Sequence, residues 1–483
     1  MRGRKVVSLL AAGLTVACSA SNSATGADNA AGREAPIASN PPAAARSVSA
    51  ATAGTTGIGD PYFPGDGNGG YDVTHYALAL AYEPRSKHLG GSATIDAKAT
   101  QELSQFNLDL HGFTVSAVTV NGRPAQFERH GDELTIFSDL RDGAAFKVAV
   151  AYAGTPDPVQ NSSNLGSYGF IPTADGAFVT CEPNGAKTWF PSNDHPSDKA
   201  TFDFTLTVPE GVTAIANGEL AGTPQTKDGK TTFVWRESNP MVTYLATMTT
   251  GKFQVRTGDS PGGIPVYAAT DPRFSKSLNS LYDQSARITD YWTTVFGPYP
   301  FKSTGGVVDD FAAGYALENQ TKPIYGGFEP DEGIIAHELA HQWFGNSLSI
   351  NRWKDLWLNE GFATYAEWLW SEHRGNGTAQ QSFEDAYASA TDEIWKYPPG
   401  VTRPNDLFNA SVYVRGGMAL HALRTEIGDT KFFPLLKKWT ADHRYGNVTT
   451  EQFIDMAEKI SGEQLDDLFD AWLFKPAKPA SVG

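Results

Sequence analysis

Cysteine is nearly absent: the chain of 483 residues holds two, Cys18 and Cys181. A disulfide framework is therefore excluded, and so is a zinc site built from four thiolates. Positive charge is also short. Lys and Arg total 38 against 54 Asp and Glu, a formal net charge of −16. The basic surface that phosphate contacts require is missing, so no nucleic-acid partner is expected. Beyond the N-terminus no apolar run reaches ~18 residues, which excludes a multi-span membrane protein. No internal repeat at solenoid or propeller spacing is present. What remains is a globular composition, with 40% hydrophobic and 19% charged residues. The 48 Gly and 29 Pro call for many turns.

The N-terminus reads as an address. Arg2, Arg4 and Lys5 precede a mostly apolar stretch, Val6 to Ala17. That is signal-peptide length and too short to span a bilayer. The run Leu14-Thr15-Val16-Ala17-Cys18 resembles a bacterial lipoprotein box. The resemblance implies removal of residues 1–17, lipidation of Cys18, and a membrane as partner through that anchor. An ordinary cleaved signal peptide is the alternative, so the chain is expected to be exported as a cell-envelope lipoprotein or secreted. Residues 19–60 contain no Phe, Trp or Tyr. Such a segment cannot bury enough apolar surface to offset its ordering entropy. Residues 18–60 are accordingly read as the lipidated Cys and a flexible linker. Cys181, left alone, reads as a small buried apolar residue.

Two folded regions follow. From Tyr71 the pattern has period two: Leu78, Leu80 and Tyr82; Phe106, Leu108 and Leu110; Phe146, Val148, Val150 and Tyr152; Phe202, Phe204, Leu206 and Val208. Asn121-Gly122 is a hairpin turn between Val118–Val120 and a strand around Phe127. An antiparallel β-domain is expected over 61–255. The period then changes. Phe274, Leu278, Leu281, Ile288 and Trp292 have helical spacing, Phe301 to Val308 reads as a strand, and helical patterns recur near 331–345, 357–371, 378–396, 412–426 and 450–460. The fold class is α+β, with a second, mainly helical domain over 256–483.

Residues His337-Glu338-Leu339-Ala340-His341 form an H-E-x-x-H pattern. On a helix, positions i and i+4 differ by ~40° in rotation and ~6 Å in rise. Both imidazoles leave one face and can share one ion, and Glu338 beside them can reach a water on that ion. The alternative is a buried helix with two satisfied histidines. A catalytic zinc needs a third protein ligand and an open position. Glu360 follows within Leu356-Trp357-Leu358-Asn359-Glu360-Gly361-Phe362-Ala363. An acidic residue in so apolar and aromatic a segment is costly unless paired or on a metal. His337, His341 and Glu360 are thus the candidate ligands of one Zn2+.

H-E-x-x-H, an eighteen-residue interval, then Glu inside W-L-N-E-G-F-A resembles the signature of the gluzincin aminopeptidases of the aminopeptidase N family. The likeness runs from about Gly67 to Leu473. It implies a saddle-like β-domain followed by a thermolysin-like catalytic domain. It also implies that a large C-terminal helical domain found in many members is missing, since the chain ends at Gly483. Tyr315-Ala316-Leu317-Glu318-Asn319 is similar to the family's G-x-M-E-N motif, which assigns Glu318 to the substrate's free ammonium. Ala316 and Tyr315 then lie beside the substrate. Tyr315 stands where Gly is usual and Leu317 where Met is usual. Thr180-Cys181-Glu182-Pro183 is similar to the second amino-terminus anchor and matches Glu182 to its Glu, with Thr180 where Gln is usual. Tyr413, in Val412-Tyr413-Val414-Arg415-Gly416-Gly417, matches the family's catalytic tyrosine. Asp194 and His195 read as structural, Asp309-Asp310 as loop, and Trp343, Trp353, Trp357, Trp368 and Trp370 as core.

The resemblance implies a zinc aminopeptidase that acts on peptides with a free N-terminus, with Glu338 as general base and acid and Tyr413 as oxyanion donor. A broader peptidase and an inactive binding protein are the competing readings. Dependence on a free amine separates the first two. Turnover separates the third.

Overall fold

The computed structural model describes residues 51–160 and 166–482. The expected signal peptide, the Cys18 anchor and the linker up to residue 50 lie outside the described residues. Among the described residues no helix is long and apolar enough to cross a membrane.

The alternating segments form long strands. β1 (Tyr71–Glu83), β2 (His88–Ala99), β3 (Ala145–Gly154), β4 (Ala177–Thr180), β5 (Lys199–Pro209) and β6 (Lys230–Val242) carry the first region. A nine-stranded sheet runs β6-β5-β1-β2-β3 through its centre. On β1, Val73, Tyr76, Leu78, Leu80 and Tyr82 are buried. The intervening positions are largely exposed or half-buried, as a sheet with one covered face requires. β4 belongs to a separate five-stranded sheet.

The antiparallel expectation needs one correction. β5 lies parallel to β1, with His75 to Ala81 beside Thr201 to Thr207. Between β3 and β5 the chain leaves the large sheet and builds β4 and the loop that carries Glu182. It returns alongside β1 in the same direction. The sheet is therefore mixed.

The Asn121-Gly122 turn has positive φ at both residues, 51° and 73°, as a type I′ hairpin requires. Its partner is not the strand around Phe127. Val120 faces Arg123, and the pairing stops at Pro124, which has no N–H to continue a ladder. Phe127 lies in a strand, Gln126–His130, of a different, four-stranded sheet.

The end of the segment read as linker is built into the fold. Thr52–Ala53 pairs with Leu103 and Gln105. The Asp60 carboxylate is fully buried and accepts hydrogen bonds from His195 Nε2 at 3.2 Å, Trp353 N at 3.0 Å and Tyr62 N at 2.8 Å. Burial works against ionisation there, but these donors hold the carboxyl below its usual value. Backbone pairing and one carboxylate dock the segment without any aromatic side chain, which composition alone does not reveal.

The second region starts with a sheet of Gln254–Asp259, Pro265–Thr270, β7 (Thr304–Asp309), Ile324–Gly326 and, at its edge, β8 (Ala316–Leu317). α1 (Leu278–Phe296) lies between the second of these strands and β7, and helices follow the sheet: α2 (Glu332–Ala340), α3 (Trp357–Arg374), α4 (Ala379–Ser389), α5 (Gly416–Ile427), α6 (Asp429–Asp442) and α7 (Thr450–Ser461). Their limits have local causes. Asp331 caps α2 by accepting from Ile334 N, Thr378 and Gln381 form a capping box on α4, and α3 stops at Gly375 with φ 73°. A π-turn, Ser411–Arg415, leads directly into α5. α6 was not anticipated. α3 and α5 meet at Gly361 and Gly416, where a Cβ on Gly361 would come within 2.9 Å of the Gly416 backbone. That contact sets the π-turn against the first turn of α3.

Asp60→Ala would leave the His195 and Trp353 donors buried and unpaired, at a cost of about 2–4 kcal/mol. Urea unfolding of the chain from residue 51 should show a lower midpoint with an unchanged slope. An unchanged midpoint would mean that the junction contributes nothing.

Candidate active site

α2 presents His337 and His341 from one face. His341 closes the helix with helical φ and ψ, and its N–H still donates to His337 O at 3.2 Å. The first turn of α3 brings Glu360 opposite. Glu360 Oε2 lies 3.4 Å from Nε2 of both His337 and His341. His337 Nδ1 faces Glu367 Oε1 at 2.7 Å and His341 Nδ1 faces the Phe344 carbonyl at 3.0 Å. Both outer nitrogens are thus donors, and both Nε2 lone pairs point at the space Glu360 shares. Two imidazoles and one carboxylate are a zinc donor set, and the three donor atoms lie within 4.8 Å of one another. Glu318, Glu338 and His341 form a second group within the same span. It uses His341 again and offers only one nitrogen, so the first set fits zinc better.

A cavity of about 490 Å³ opens over these residues, within the range of small-molecule sites. All the residues expected at the site line it: Glu338 and Tyr413; Glu318, Glu182, Ala316 and Tyr315; and His337, His341 and Glu360.

The cavity is crowded with buried acid. Glu182, Glu318, Glu338 and Glu360 are all buried. Burial, and then the nearby Glu318, raises Glu182 well above the usual carboxylate range. Burial raises Glu318 against the pull of His341, and it pushes Glu338 up to about 8 against His337 and His341. Glu360 goes the other way. Burial opposes its charge, but the rings of His341 and His337, when protonated, hold it down at about 2. One oxygen each of Glu182 and Glu338 is buried without a protein partner.

Glu318 directly follows β8. Its carboxylate accepts from Tyr244 OH at 3.2 Å. Its backbone carbonyl accepts from Asn346 Nδ2 at 2.8 Å and Gln342 Nε2 at 3.2 Å. Both donors lie just after His341, so the metal helix and Glu318 are tied together. Tyr413 sits in the π-turn with its ring nearly parallel to His337, at 18° and 6.3 Å between centroids. Burial, followed by Glu360, raises its phenol well above the usual value, so it remains a donor. Two of the three unusual residues meet: Tyr315 OH lies 2.9 Å from Thr180 Oγ1 and donates to the Ser167 carbonyl at 3.2 Å. Asp194 accepts from Lys187 N and Thr243 Oγ1, and His195 holds Asp60, so both act in structure.

Several functional neighbours escaped the sequence reading. Glu367 lies seven residues after Glu360 and therefore on the same face of α3; that spacing was the available signal. Tyr244, Gln342 and Asn346 carried none, because their partners come from other parts of the chain. One expectation is corrected: Trp368 was read as core, but it is half-buried and lines the cavity.

Comparison with known proteins gives a consistent picture. Residues 329–472 match the Peptidase family M1 domain and residues 72–245 the Peptidase M1 N-terminal domain. The M1 zinc metallopeptidase of Deinococcus radiodurans superposes with a TM-score of 0.83 at 31% identity, covering 88% of this chain and 99% of that one. A mutant of it, bound to a Tyr-Ser-Ala substrate, gives 0.80 at 30% identity over the same shares. Aminopeptidase N of Lactococcus lactis subsp. lactis is 30% identical over 444 residues, 84% of this chain and 51% of that protein. The chain thus spans about half the length of that relative, and 38% of rice Aminopeptidase M1-C.

Glu367→Ala should weaken zinc binding by about 10–100-fold, because His337 loses the partner that fixes its tautomer. Competition against a chromophoric chelator measures this. Unaltered affinity would mean that Glu367 does not support the ligand.

Proposed function

This chain belongs to peptidase family M1 of zinc metallopeptidases, and from that premise we propose that it is an aminopeptidase that removes single residues from peptides with a free N-terminus. One observation carries the reading. Two buried carboxylates, Glu182 and Glu318, share the cavity with the metal-ligand set, and Glu182 keeps an oxygen without a partner. A substrate ammonium placed between them gains charge-assisted bonds and relieves their repulsion. The Deinococcus relative, which binds Tyr-Ser-Ala as substrate, supports peptides as the substrate class.

His337, His341 and Glu360 would hold the zinc. A zinc ion there supplies Lewis acidity, which activates water and polarises a carbonyl. The protein residues do the rest. Glu182 and Glu318 fix the α-ammonium and so place the first carbonyl. Glu338 takes a proton from the attacking water and returns it to the leaving amine. The Tyr413 phenol donates to the oxygen that gains negative charge. β8 is a sheet edge beside the cavity, where an extended substrate backbone can pair. We further read residues 1–17 as a signal peptide and Cys18 as a lipid anchor on the cell envelope. A mass increase of the exported chain that is lost in Cys18→Ala tests the anchor.

One peptide, offered free and N-acetylated, tests the activity by mass analysis. The free form should lose single residues in sequence and the acetylated form should persist. Internal cuts in both forms would favour the broader peptidase. Glu338→Ala should abolish turnover while zinc content stays constant. Tyr413→Phe should lower kcat by about 10²–10³; a smaller effect would remove the phenol from the mechanism.

A further inference from the structure

Tyr413 is placed by a turn that needs support. Ser411–Arg415 is a π-turn, closed by the Gly416 N–H, which donates to the Ser411 carbonyl. Such turns are rare and hold one residue more than an α-turn. Relaxed to α geometry, the turn would lose that residue, and the side chains ahead of it would swing by ~100° about the axis. A rotation of that size would carry the phenol out of the cavity. On one side the turn is held by the backbone contact of Gly416 with Gly361, next to Glu360. On the other side it is held by a charge.

Arg415 ends the turn and is wholly buried. Each of its five N–H bonds meets a backbone carbonyl. Nε donates to Trp472 O at 2.8 Å. Nη1 donates to Trp395 O at 2.9 Å and to Ile394 O at 3.3 Å. Nη2 donates to Ala471 O at 2.9 Å and to Lys475 O at 2.6 Å. A guanidinium has five donors and no acceptor, so its capacity is filled. The acceptors share a feature. Ile394 and Trp395 belong to a single short helix, Asp392–Lys396. Ala471, Trp472 and Lys475 lie at the end of the helical run Asp466–Phe474. Carbonyls at a helix C-terminus lack partners within the helix and form the negative end of its dipole. One cation therefore joins the ends of two helical segments, both remote from it in sequence. Its Cζ also stands 5.7 Å from the centre of the Trp395 ring. Burial lowers its pKa to about 10, so it stays charged at neutral pH, and among the described residues no carboxylate shares in holding it. An apolar side chain could fill this space without the cost of burying a charge. It could not hold five carbonyls in one plane.

We propose that Arg415 is a positioning residue for the aminopeptidase reaction: it fastens the end of the π-turn to both helix ends and so keeps the Tyr413 phenol aimed at the oxygen that gains negative charge. The proposal rests on the aminopeptidase reading through the role given to Tyr413. Arg415 itself does not line the cavity. The other groups of the site have separate supports, Gln342 and Asn346 for Glu318 and Glu367 for His337. Loss of Arg415 thus acts on kcat through the phenol and spares KM and the zinc site.

A double-mutant cycle tests this, read as kcat, KM and zinc content on a peptide with a free N-terminus, below the thermal midpoint of every variant. Arg415→Met should lower kcat by about 10–100-fold, the scale of a small misplacement of a reacting group, with KM and zinc content unchanged. In a Tyr413→Phe background the same substitution should change kcat by less than about twofold, because no phenol is left to aim. Arg415→Lys keeps the charge but brings three donors to five carbonyls. Its loss of kcat should be smaller and should again disappear in the Tyr413→Phe background, which decides the matter even where Arg415→Met does not fold. An equal fall in both backgrounds would overturn the proposal, since a general structural role would act that way. So would full kcat in both Arg415 variants. Either result leaves the aminopeptidase reading standing. Full kcat in Tyr413→Phe alone would instead overturn the role of the phenol, and the proposal with it.

Discussion

Four buried glutamates share one cavity with two imidazoles, and that concentration of negative charge governs the rest of the site. Isolated buried carboxylates are too costly to keep ionised. Each must be neutralised, hydrogen-bonded or given a cation. The arrangement provides two places for positive charge. One lies between His337, His341 and Glu360, whose free lone pairs converge. The other lies between Glu182 and Glu318. Glu338 stands between the two and carries an unpartnered oxygen. The outlying groups serve this arrangement: Glu367 and the Phe344 carbonyl orient the imidazoles, and Asn346 and Gln342 hold Glu318 in register with α2.

The family assignment and the local motifs were legible in the sequence because each is written in consecutive residues. H-E-x-x-H needs only helical spacing, and Glu360 stands out as a charge in an aromatic run. The caps at Thr378 and Thr449 and the stops at Gly375 and Gly462 follow the same local logic. What escaped depends on parts of the chain far apart in sequence. The Asp60 junction joins residues 135 and 293 positions away. The parallel pairing of β1 with β5 is decided by the route of the chain between them. Tyr244 is recognisable only from its distance to Glu318. α6 is a different case: Phe432, Leu435, Leu436 and Trp439 are buried at helical spacing, but Gly428 before it and Pro434 within it read locally as breaks. Packing of that apolar face outweighs the cost of the proline.

Two of the three residues that depart from the family motifs are related. Tyr315 and Thr180 come from different regions of the fold, yet their hydroxyls meet at 2.9 Å. The phenol also reaches the Ser167 carbonyl. One larger side chain therefore stands beside a smaller one and links β8 to the strand that leads to Glu182.

The pair of amide hydrogen bonds that fasten Glu318 to the loop after His341 has an evolutionary consequence. In the proposed enzyme the distance from anchor to metal counts residues, because one residue of extended peptide is ~3.5 Å. An enzyme that cut off dipeptides would need its anchor about that much farther away. Here the anchor is fastened to the helix that carries the histidines, so changes on surface loops cannot lengthen the count. Product size is thus set by the core.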